Sequence, residues 1–434
     1  MNIIITIIIL LVLSLFLAKP QLGLYLSALL LPLLGWDIQV YAFTFPLIDL
    51  IALLACLAVL GNWLFFKLKK STPTPLRWPL FIPFLIFFIV NLISSLWAPA
   101  PLTSLYYFIR WPFFLYFAYI FTPANLISDV KTLRKTIILV FIGSLTVLLF
   151  GYLSLLDQNI SHSFFRLKSI SLLGVYPFGE NHNLIAEYLN VGVFFVLIIK
   201  EMIKDQTSRR LTDILFIIMA LGIVLTFSRA AWITLAIQLL IYFLYQLRYN
   251  LIDKQNLLTF IILGLIISSP LMFKMSSLQS DNTGSTDSRL VLSEISVKAW
   301  QEKPWFGQGS GEFINLVDKD LRFRANFGEA MDSHGSVQKV LAENGTFGLL
   351  AWLGILIYLA RLGYLALRKY YPTVPWMLPF ALAAFGGIFF QFFNTSYYKG
   401  RVWFPLALFI IAIELSEKIS SSYVKENKDT SNNS

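Results

Sequence analysis

The sequence predicts an all-α polytopic membrane protein with 12–13 transmembrane helices and a large extracytoplasmic loop. Of its 434 residues, 57% are hydrophobic and only 13% are charged, whereas soluble domains contain about 25% charged residues. The mean hydropathy is +0.71. Apolar runs long enough to cross a bilayer recur along nearly the whole chain, and they lack the alternation of a membrane barrel. These observations exclude a soluble globular protein.

The apolar runs are predicted to be helices, because lipid offers no partner for an unpaired backbone group. The first two runs are short and meet at Lys19-Pro20, so they form either two crossings or one broken crossing. The first run lacks a basic n-region and an A-x-A cleavage site, so it is expected to be a retained helix and not a signal peptide. The predicted spans are 3–18, 22–35, 45–66, 80–97, 102–121, 136–156, 184–200, 211–227, 230–248, 257–273, 346–367, 376–395 and 402–416.

The orientation is predicted from the lysines and arginines in the short loops. One set of alternate loops contains 18 of these residues and the other set contains five. The basic-rich set is predicted to be cytoplasmic, with the C-terminus inside. This asymmetry accounts for the net charge of +10 without a nucleic-acid partner. Outside the long loop at 274–345, the five basic residues of the predicted outer set are Arg166, Lys168, Arg229, Lys399 and Arg401.

Two predicted outer segments are long, 157–183 and 274–345. The second has 72 residues, of which 18 are charged, so it is composed like a soluble domain inserted between helices. Loops of this length are usually functional or disordered, and its aromatic residues favour a functional one. The predicted division is ten transmembrane helices at 1–273, an extracytoplasmic loop domain at 274–345, C-terminal transmembrane helices at 346–416 and a disordered cytoplasmic tail at 417–434.

All three histidines, His162, His182 and His334, fall in these two outer segments. Histidine suits general-base work, because its ordinary pKa lies near neutrality. His334 comes just before a predicted helix start, with Asp332 or Ser333 as its cap. The alternative is a surface histidine in a polar loop.

Three arginines are candidates for binding an anion. Arg229 lies in a short outer connection between two spans, where a guanidinium and the next helix start can both bind phosphate; a snorkelling interfacial arginine is the alternative. Arg289 would supply the second cation that a diphosphate needs, or is a solvated charge. Arg110 lies within a span, where an ionisable residue is costly and by default functional. Asp49 and Glu187 are its candidate partners.

Two backbone motifs accompany them. Asn181-His182-Asn183 precedes a span and either caps that helix or hydrogen-bonds a sugar. The run from Pro304 to Gly311 is glycine-rich and predicts a tight turn or an anion nest, but it lacks the Lys-Ser/Thr of a P-loop, so a nucleotide site is not expected. The single cysteine, Cys56, allows neither a disulfide framework nor a thiolate zinc site.

Over roughly residues 175–350 the sequence resembles the O-antigen ligase and O-antigen polymerase family. Thr226-Phe227-Ser228-Arg229-Ala230, after a span, is similar to the short SR loop of that family. Arg289, followed by Pro304 and Gly307-Gln308-Gly309, is similar to its R…P-x-x-G-x-G pattern. His334-Gly335-Ser336 and then Glu343-Asn344-Gly345 resemble its HS…E-x-G ending, although Gly335 stands where serine often follows the histidine. Asn181-His182-Asn183 resembles its N-x-N motif.

The resemblance implies a metal-independent, inverting glycosyltransferase of a multispan fold in the bacterial cytoplasmic (inner) membrane, with no cofactor. Such proteins transfer a glycan from an undecaprenyl-diphosphate carrier to a lipid-core or glycan acceptor on the outer, periplasmic face. Carried onto this sequence, Arg229 and Arg289 would hold the diphosphate, and His334 would activate the acceptor hydroxyl. The candidate substrate-binding residues are Arg110, Asn181, Asn183 and Glu343.

Several functions stay open at this point. A ligase, a polymerase that extends the chain, and a variant that glycosylates protein hydroxyls differ in acceptor, which depends on loop shape. A transporter of lipid-linked glycan without chemistry would place its substrate groups near the membrane midplane, and Arg110 and Asp49, which lie within spans, keep this alternative open. For a membrane scaffold, the charged 72-residue loop would be unnecessary.

Overall fold

Helices make up nearly all of the regular structure. A computed structural model describes residues 2–40, 43–69, 74–156, 158, 166–251, 283–395 and 397–431. The only sheet in these ranges pairs β1 (Asp37–Val40) with β2 (Phe43–Pro46) in antiparallel register. The helices are α1 (Asn2–Ala18), α2 (Pro20–Leu30), α3 (Leu47–Leu68), α4 (Phe81–Leu96), α5 (Pro101–Phe108), α6 (Phe114–Tyr116), α7 (Thr122–Leu126), α8 (Val130–Leu156), α9 (His182–Met202), α10 (Gln206–Leu225), α11 (Arg229–Arg248), α12 (Thr283–Glu302), α13 (Phe313–Lys319), α14 (Leu321–Phe327), α15 (Ser336–Tyr370), α16 (Met377–Phe389) and α17 (Gly400–Ser431).

Five of the described helices, α3, α8, α9, α11 and α15, are long and apolar enough to cross a membrane. The pair α1 and α2 passes the same test as a sixth, but its axis bends by 116° at the predicted break, Lys19-Pro20. The predicted class, an all-α polytopic membrane protein, is confirmed. The number of crossings stays a prediction, and the predicted span at 257–273, loop residues 274–282 and His162 lie outside the described residues.

The predicted span at 102–121 is not a regular helix. After α5 the chain forms a π-helical turn at Ile109–Phe113, and a second one follows α6 at Phe117–Phe121. Pro112 lies inside the first turn, where it has no N–H to donate to the helical hydrogen-bond ladder. Single π turns occur often at functional sites, and this one contains Arg110.

The helix α9 is the centre of the core. It packs against α8, α10 and α16, and every residue from Ile185 to Ile198 is buried. Gly192 allows α8 to approach closely, because a Cβ at this position would lie 2.6 Å from the Cβ of Ser144. Small residues have this role wherever membrane helices pack closely. The core therefore fixes the start of α9, where Asn181 and His182 lie.

Residues 283–344 form a lobe of their own, which we call the inserted lobe. Its buried apolar residues are Leu292, Ile295, Ala299, Phe313, Val317, Phe323 and Ala342. The helix α15 breaks at Gly345, whose φ of +65° and ψ of −162° are not helical. This break separates the charged lobe from the apolar run, at the residue before the predicted span at 346–367.

The C-terminal residues differ from their prediction. The composition of 417–434 predicts a disordered tail, but α17 continues to Ser431. A helix is costly to nucleate and cheap to extend. The apolar residues at 402–416 already form the helix, and the lysines and glutamates that follow have good helix propensity.

Candidate functional site

Arg229 is the first residue of α11 and follows a tight turn. Ser228 is the N-cap, and its Oγ accepts a hydrogen bond from Ala231 N at 3.4 Å. Phe227 closes the turn with a positive φ of 55°. The side chain of Arg229 is exposed at a helix N-terminus, where free N–H groups and the helix dipole both favour an anion. The predicted helix start beside this arginine is therefore confirmed.

Arg289 lies in α12, which brings it next to Arg229. Burial lowers the pKa of Arg289, and repulsion by the charge of Arg229 lowers it further. The Nε of Arg289 is buried without a hydrogen-bond partner. Among the described residues, neither guanidinium forms a salt bridge with a carboxylate. The two arginines therefore form an uncompensated pair of positive charges.

His334 lies beside this pair, in the turn that leads into α15. Ser333 Oγ donates to Gly335 O at 2.9 Å, and Ser333 N donates to Asp332 Oδ1 at 2.9 Å, which fixes the backbone around the histidine. Burial lowers the pKa of His334 below 6.5, and the charge of Arg289 lowers it further, whereas Asp332 opposes both. The imidazole is therefore mainly neutral at pH 7, which is the form a general base requires.

The predicted cap of α15 is wrong. Gly335 occupies the N-cap position and offers no side-chain cap. Asp332 instead accepts two hydrogen bonds from Lys339 Nζ, at 2.7 and 2.8 Å, and one from Tyr398 Oη at 3.2 Å. A buried lysine needs this compensation more than a helix end needs a cap, because an unpaired buried charge is far more costly.

A polar pocket adjoins the arginine pair on the side of the loop before α9. His182 interacts electrostatically with both Arg289 and Arg166. The cavity volume of this pocket is about 470 Å³, in the range of sites that hold small molecules. Its polar lining includes Arg166, Lys168, Tyr176, Glu180 and His182. Sequence reasoning did not single out Arg166 as a site residue.

Asn181 caps α9, since its Oδ1 accepts a hydrogen bond from Asn183 N at 2.9 Å. The capping interpretation is thereby confirmed, whereas sugar binding by Asn181 and Asn183 stays a prediction. Glu343 is buried, with Oε1 3.5 Å from Lys339 Nζ, and accepts a hydrogen bond from Phe313 N at 3.2 Å. Its carboxylate joins α15 to the start of α13, and its substrate-binding role is still a prediction.

Arg110 lies in a different pocket. Of its two candidate partners, Asp49 interacts with it electrostatically and accepts a hydrogen bond from Tyr119 Oη at 2.6 Å. Glu187 instead forms a buried salt bridge with Arg401, 2.5 Å between Oε2 and Nη2. This pairing was not predicted, because the two residues lie far apart in the sequence.

The glycine-rich run before α13 packs tightly against the kink in α15. Gly307 has a φ of +70°, and a Cβ on it would lie 2.5 Å from the carbonyl carbon of Glu343. A Cβ on Gly345 would likewise lie 2.5 Å from the carbonyl oxygen of Trp305. The tight turn at these glycines is therefore explained by close packing, which leaves no room for a side chain. In the described part of the chain, no group of three or more His, Cys, Asp and Glu side chains could hold a metal ion.

The fold and the site define a polytopic membrane protein in which a pair of arginines, neither in a salt bridge among the described residues, lies close to a histidine through Arg289. Residues 214–353 match the model of the O-antigen ligase family, Wzy_C. The predicted resemblance to the O-antigen ligase and polymerase family is thus confirmed over these residues. The match includes Arg229, Arg289 and His334, and it supports glycan transfer of the ligase or polymerase kind. None of the curated proteins matches the chain.

Proposed function

We propose that this protein transfers a glycan from an undecaprenyl-diphosphate carrier to an acceptor hydroxyl on the outer face of the bacterial cytoplasmic membrane. A lipid-core acceptor, and hence ligase activity, is the form we favour. The observation that carries the proposal is the Arg229–Arg289 pair, which lies next to His334 and has no carboxylate partner among the described residues. A diphosphate supplies the negative charges that this pair needs.

The arginines act on the leaving group. As the bond between the anomeric carbon and the diphosphate oxygen breaks, negative charge grows on that oxygen. Guanidinium groups bind phosphate oxygens in a bidentate manner, and the N-terminus of α11 adds its free N–H groups at Arg229. Donors placed where charge develops typically contribute about 10²–10³ in rate each. The chain thus supplies cations for the departing diphosphate itself, and we propose that transfer is independent of metal.

His334 acts on the acceptor. The acceptor oxygen attacks the anomeric carbon, the electron pair of the broken bond leaves with the diphosphate, and the acceptor proton passes to the imidazole. A single displacement of this kind inverts the configuration at the anomeric carbon. The lowered pKa of His334 keeps the imidazole free to take the proton at neutral pH, and a positioned base contributes about 10²–10⁴ in rate.

The decisive experiment is gel electrophoresis of surface glycans from a deletion strain complemented with wild-type or variant protein. In a ligase, deletion should leave long chains on the lipid carrier and remove them from their acceptor. Single repeat units on the acceptor would instead indicate a polymerase. His334→Ala should fail to restore the pattern although it inserts into the membrane.

The matched control is Glu329→Gln, an exposed position in the loop that leads to His334. It should restore the wild-type pattern, because it changes a charge in the same loop without touching the site. Full rescue by His334→Ala would remove the proposed base and favour a transporter. Inhibition of the purified protein by a metal chelator would contradict the metal-free step.

A further inference from the structure

A second polar pocket lies beside the π turn that contains Arg110. Its cavity volume is about 90 Å³, enough for an acidic group such as a carboxylate or a phosphate. Its walls come from the residues just after α2, the start of α3, the two π turns and the residues around the start of α17. The loop after α2 also contacts the loop before α9, because Leu34 N and Gly35 N both donate to Pro177 O. The pocket therefore opens near the same end of the bundle as His182.

The pocket has more positive charge than its own carboxylate can balance. Arg110, Lys399 and Asp49 all line it. Asp49 accepts a hydrogen bond from Tyr119, and no salt bridge is formed by Arg110 or Lys399 within the described ranges. Arg401, which also lines the pocket, is already neutralised by Glu187. One cation is therefore left over for an anionic ligand.

An aromatic wall stands beside these charges. The rings of Trp111 and Tyr398 are stacked, with centroids 4.7 Å apart and planes 20° apart, and both line the pocket. Lys339 Nζ lies 4.6 Å from the centroid of Trp111 and 5.3 Å from that of Tyr398, so its charge contacts both rings. Aromatic faces of this kind accept the C–H face of a sugar ring, so the wall selects a sugar and the cations select an acidic group.

Asp332 connects this pocket to His334. Tyr398 Oη donates to Asp332 Oδ2 at 3.2 Å, and His334 follows two residues later in the same turn. Asp332 also interacts electrostatically with both His334 and Lys399. One carboxylate thus joins Tyr398 of the pocket wall to the turn that contains the proposed base.

We propose that the pocket lined by Arg110, Trp111 and Lys399 binds an acidic sugar of the acceptor, one with a carboxylate or phosphate group. The anion lies between Arg110 and Lys399 while the sugar ring rests on Trp111. This assignment rests on the proposed function, because it takes His334 as the base that the acceptor must reach. It adds a chemical class to the acceptor, which the sequence left open.

The charge state of Lys399 supports the assignment. Burial lowers the pKa of Lys399 to about 8, and the neighbouring Arg401 lowers it further, while Glu187, Asp332 and Asp49 oppose the shift. The amine is therefore mainly protonated at pH 7, although burial disfavours its positive charge. A bound anion would stabilise that charge. Binding of an acidic sugar should accordingly weaken as the pH rises through about 8.

Direct binding tests the pocket without relying on transfer. The full-length protein in lipid nanodiscs is titrated with methyl glucuronide, glucose 6-phosphate, neutral methyl glucoside and inorganic phosphate, with saturation-transfer NMR as the readout. We expect at least one acidic sugar to bind fivefold or more tightly than the neutral glucoside. Which of the two acids binds identifies the group as a carboxylate, a phosphate or either. Inorganic phosphate equal in affinity to glucose 6-phosphate would overturn the role of the aromatic wall.

The variants locate the binding. Lys399→Gln and Arg110→Gln should each abolish the preference for acidic sugars, and Lys399→Arg should keep it, which separates loss of charge from misfolding. Lys319→Gln, an exposed lysine of the inserted lobe, is the matched control and should change nothing. Equal binding of acidic and neutral sugars by the wild-type protein, or an intact preference in Lys399→Gln, would overturn the proposal.

Two further arms separate this inference from the proposed function. His334→Ala should keep the binding preference. Its loss of transfer activity would then test the proposed base without affecting the test of the pocket. In a transfer assay, Lys399→Gln should raise the KM for an acidic acceptor fivefold or more and leave the KM for the lipid-linked donor unchanged. A rise in the donor KM alone would place the acidic group on the donor and overturn the acceptor assignment.

Discussion

The guanidinium of Arg289 is half-buried and faces a second positive charge on Arg229. Burial and the neighbouring charge both disfavour the positive charge of Arg289. Among the described residues, no carboxylate forms a salt bridge that would offset them. Arrangements of this kind are found where a charged ligand completes the site, because structural arginines are normally paired when buried. The same guanidinium lowers the pKa of His334, so a single residue prepares the site for both the anion and the proton.

Replacing either arginine by lysine tests whether the pair binds a diphosphate. Lysine keeps the charge but loses the planar fork, so Arg229→Lys and Arg289→Lys should each lower the transfer rate by about tenfold or more. Arg322→Lys is the control, since this exposed arginine pairs with Glu294 on the inserted lobe and should leave the rate unchanged. Wild-type rates in both site variants would contradict diphosphate binding at these positions.

The pH profile tests the base. His334 must be neutral to accept a proton, so the transfer rate should be constant at neutral pH and fall as the pH drops through its lowered pKa, below 6.5. Arg289→Gln removes one of the charges that lower this pKa, so the acidic limb should move toward higher pH while the maximal rate falls. Single-turnover rates between pH 4 and 8 measure both effects. If the acidic limb did not move in Arg289→Gln, the limb would not report the titration of His334.

At the scale of elements, the break in α15 sets the position of the inserted lobe. The φ of +65° and ψ of −162° at Gly345 lie in a region that is essentially restricted to glycine and costs another residue about 1–3 kcal/mol, and a Cβ there would also clash with Trp305 and Gly307. Gly345→Ala should therefore lower the Tm and displace the His334 turn. Gly354→Ala in the same helix, where a Cβ meets nothing within 4 Å, should leave the Tm unchanged or raise it. Equal Tm values for the two variants would show that the kink is not required.

Elements that depend on local patterns were predictable. The bend at Lys19-Pro20 follows from proline, and the break at Gly345 agrees with the start of the apolar run at 346. The π turn around Arg110 was not predictable, because the same apolar residues also suit a regular helix. The predicted cap of α15 was wrong although Asp332 fits the sequence pattern of a cap. In the fold Asp332 pairs with Lys339, and the sequence does not show that this lysine is buried.

At the scale of the whole molecule, the basic residues that run against the charge bias are the ones the fold brings to the two pockets and the arginine pair. Arg166 and Lys168 line one pocket, Lys399 and Arg401 line the other, and Arg229 begins α11. The bias was read from the sequence only for orientation. The same bias could have identified the site residues that were missed. A lysine or arginine that departs from the charge bias of a membrane protein is a candidate for binding a ligand or a buried carboxylate. Their partners are long-range contacts, which no local pattern specifies.

The orientation itself is the remaining prediction for the whole molecule, and the proposed function depends on it. Cys56 is buried, so a Cys56→Ala background accepts single cysteines at exposed positions. Lys319→Cys in the inserted lobe and Lys204→Cys between α9 and α10 are both exposed, and the charge bias assigns them to opposite sides. A membrane-impermeant maleimide should label Lys319→Cys in intact spheroplasts, and Lys204→Cys only after the membrane is permeabilised. The reverse pattern would place His334 in the cytoplasm, where a glycan acceptor on the outer face could not reach it.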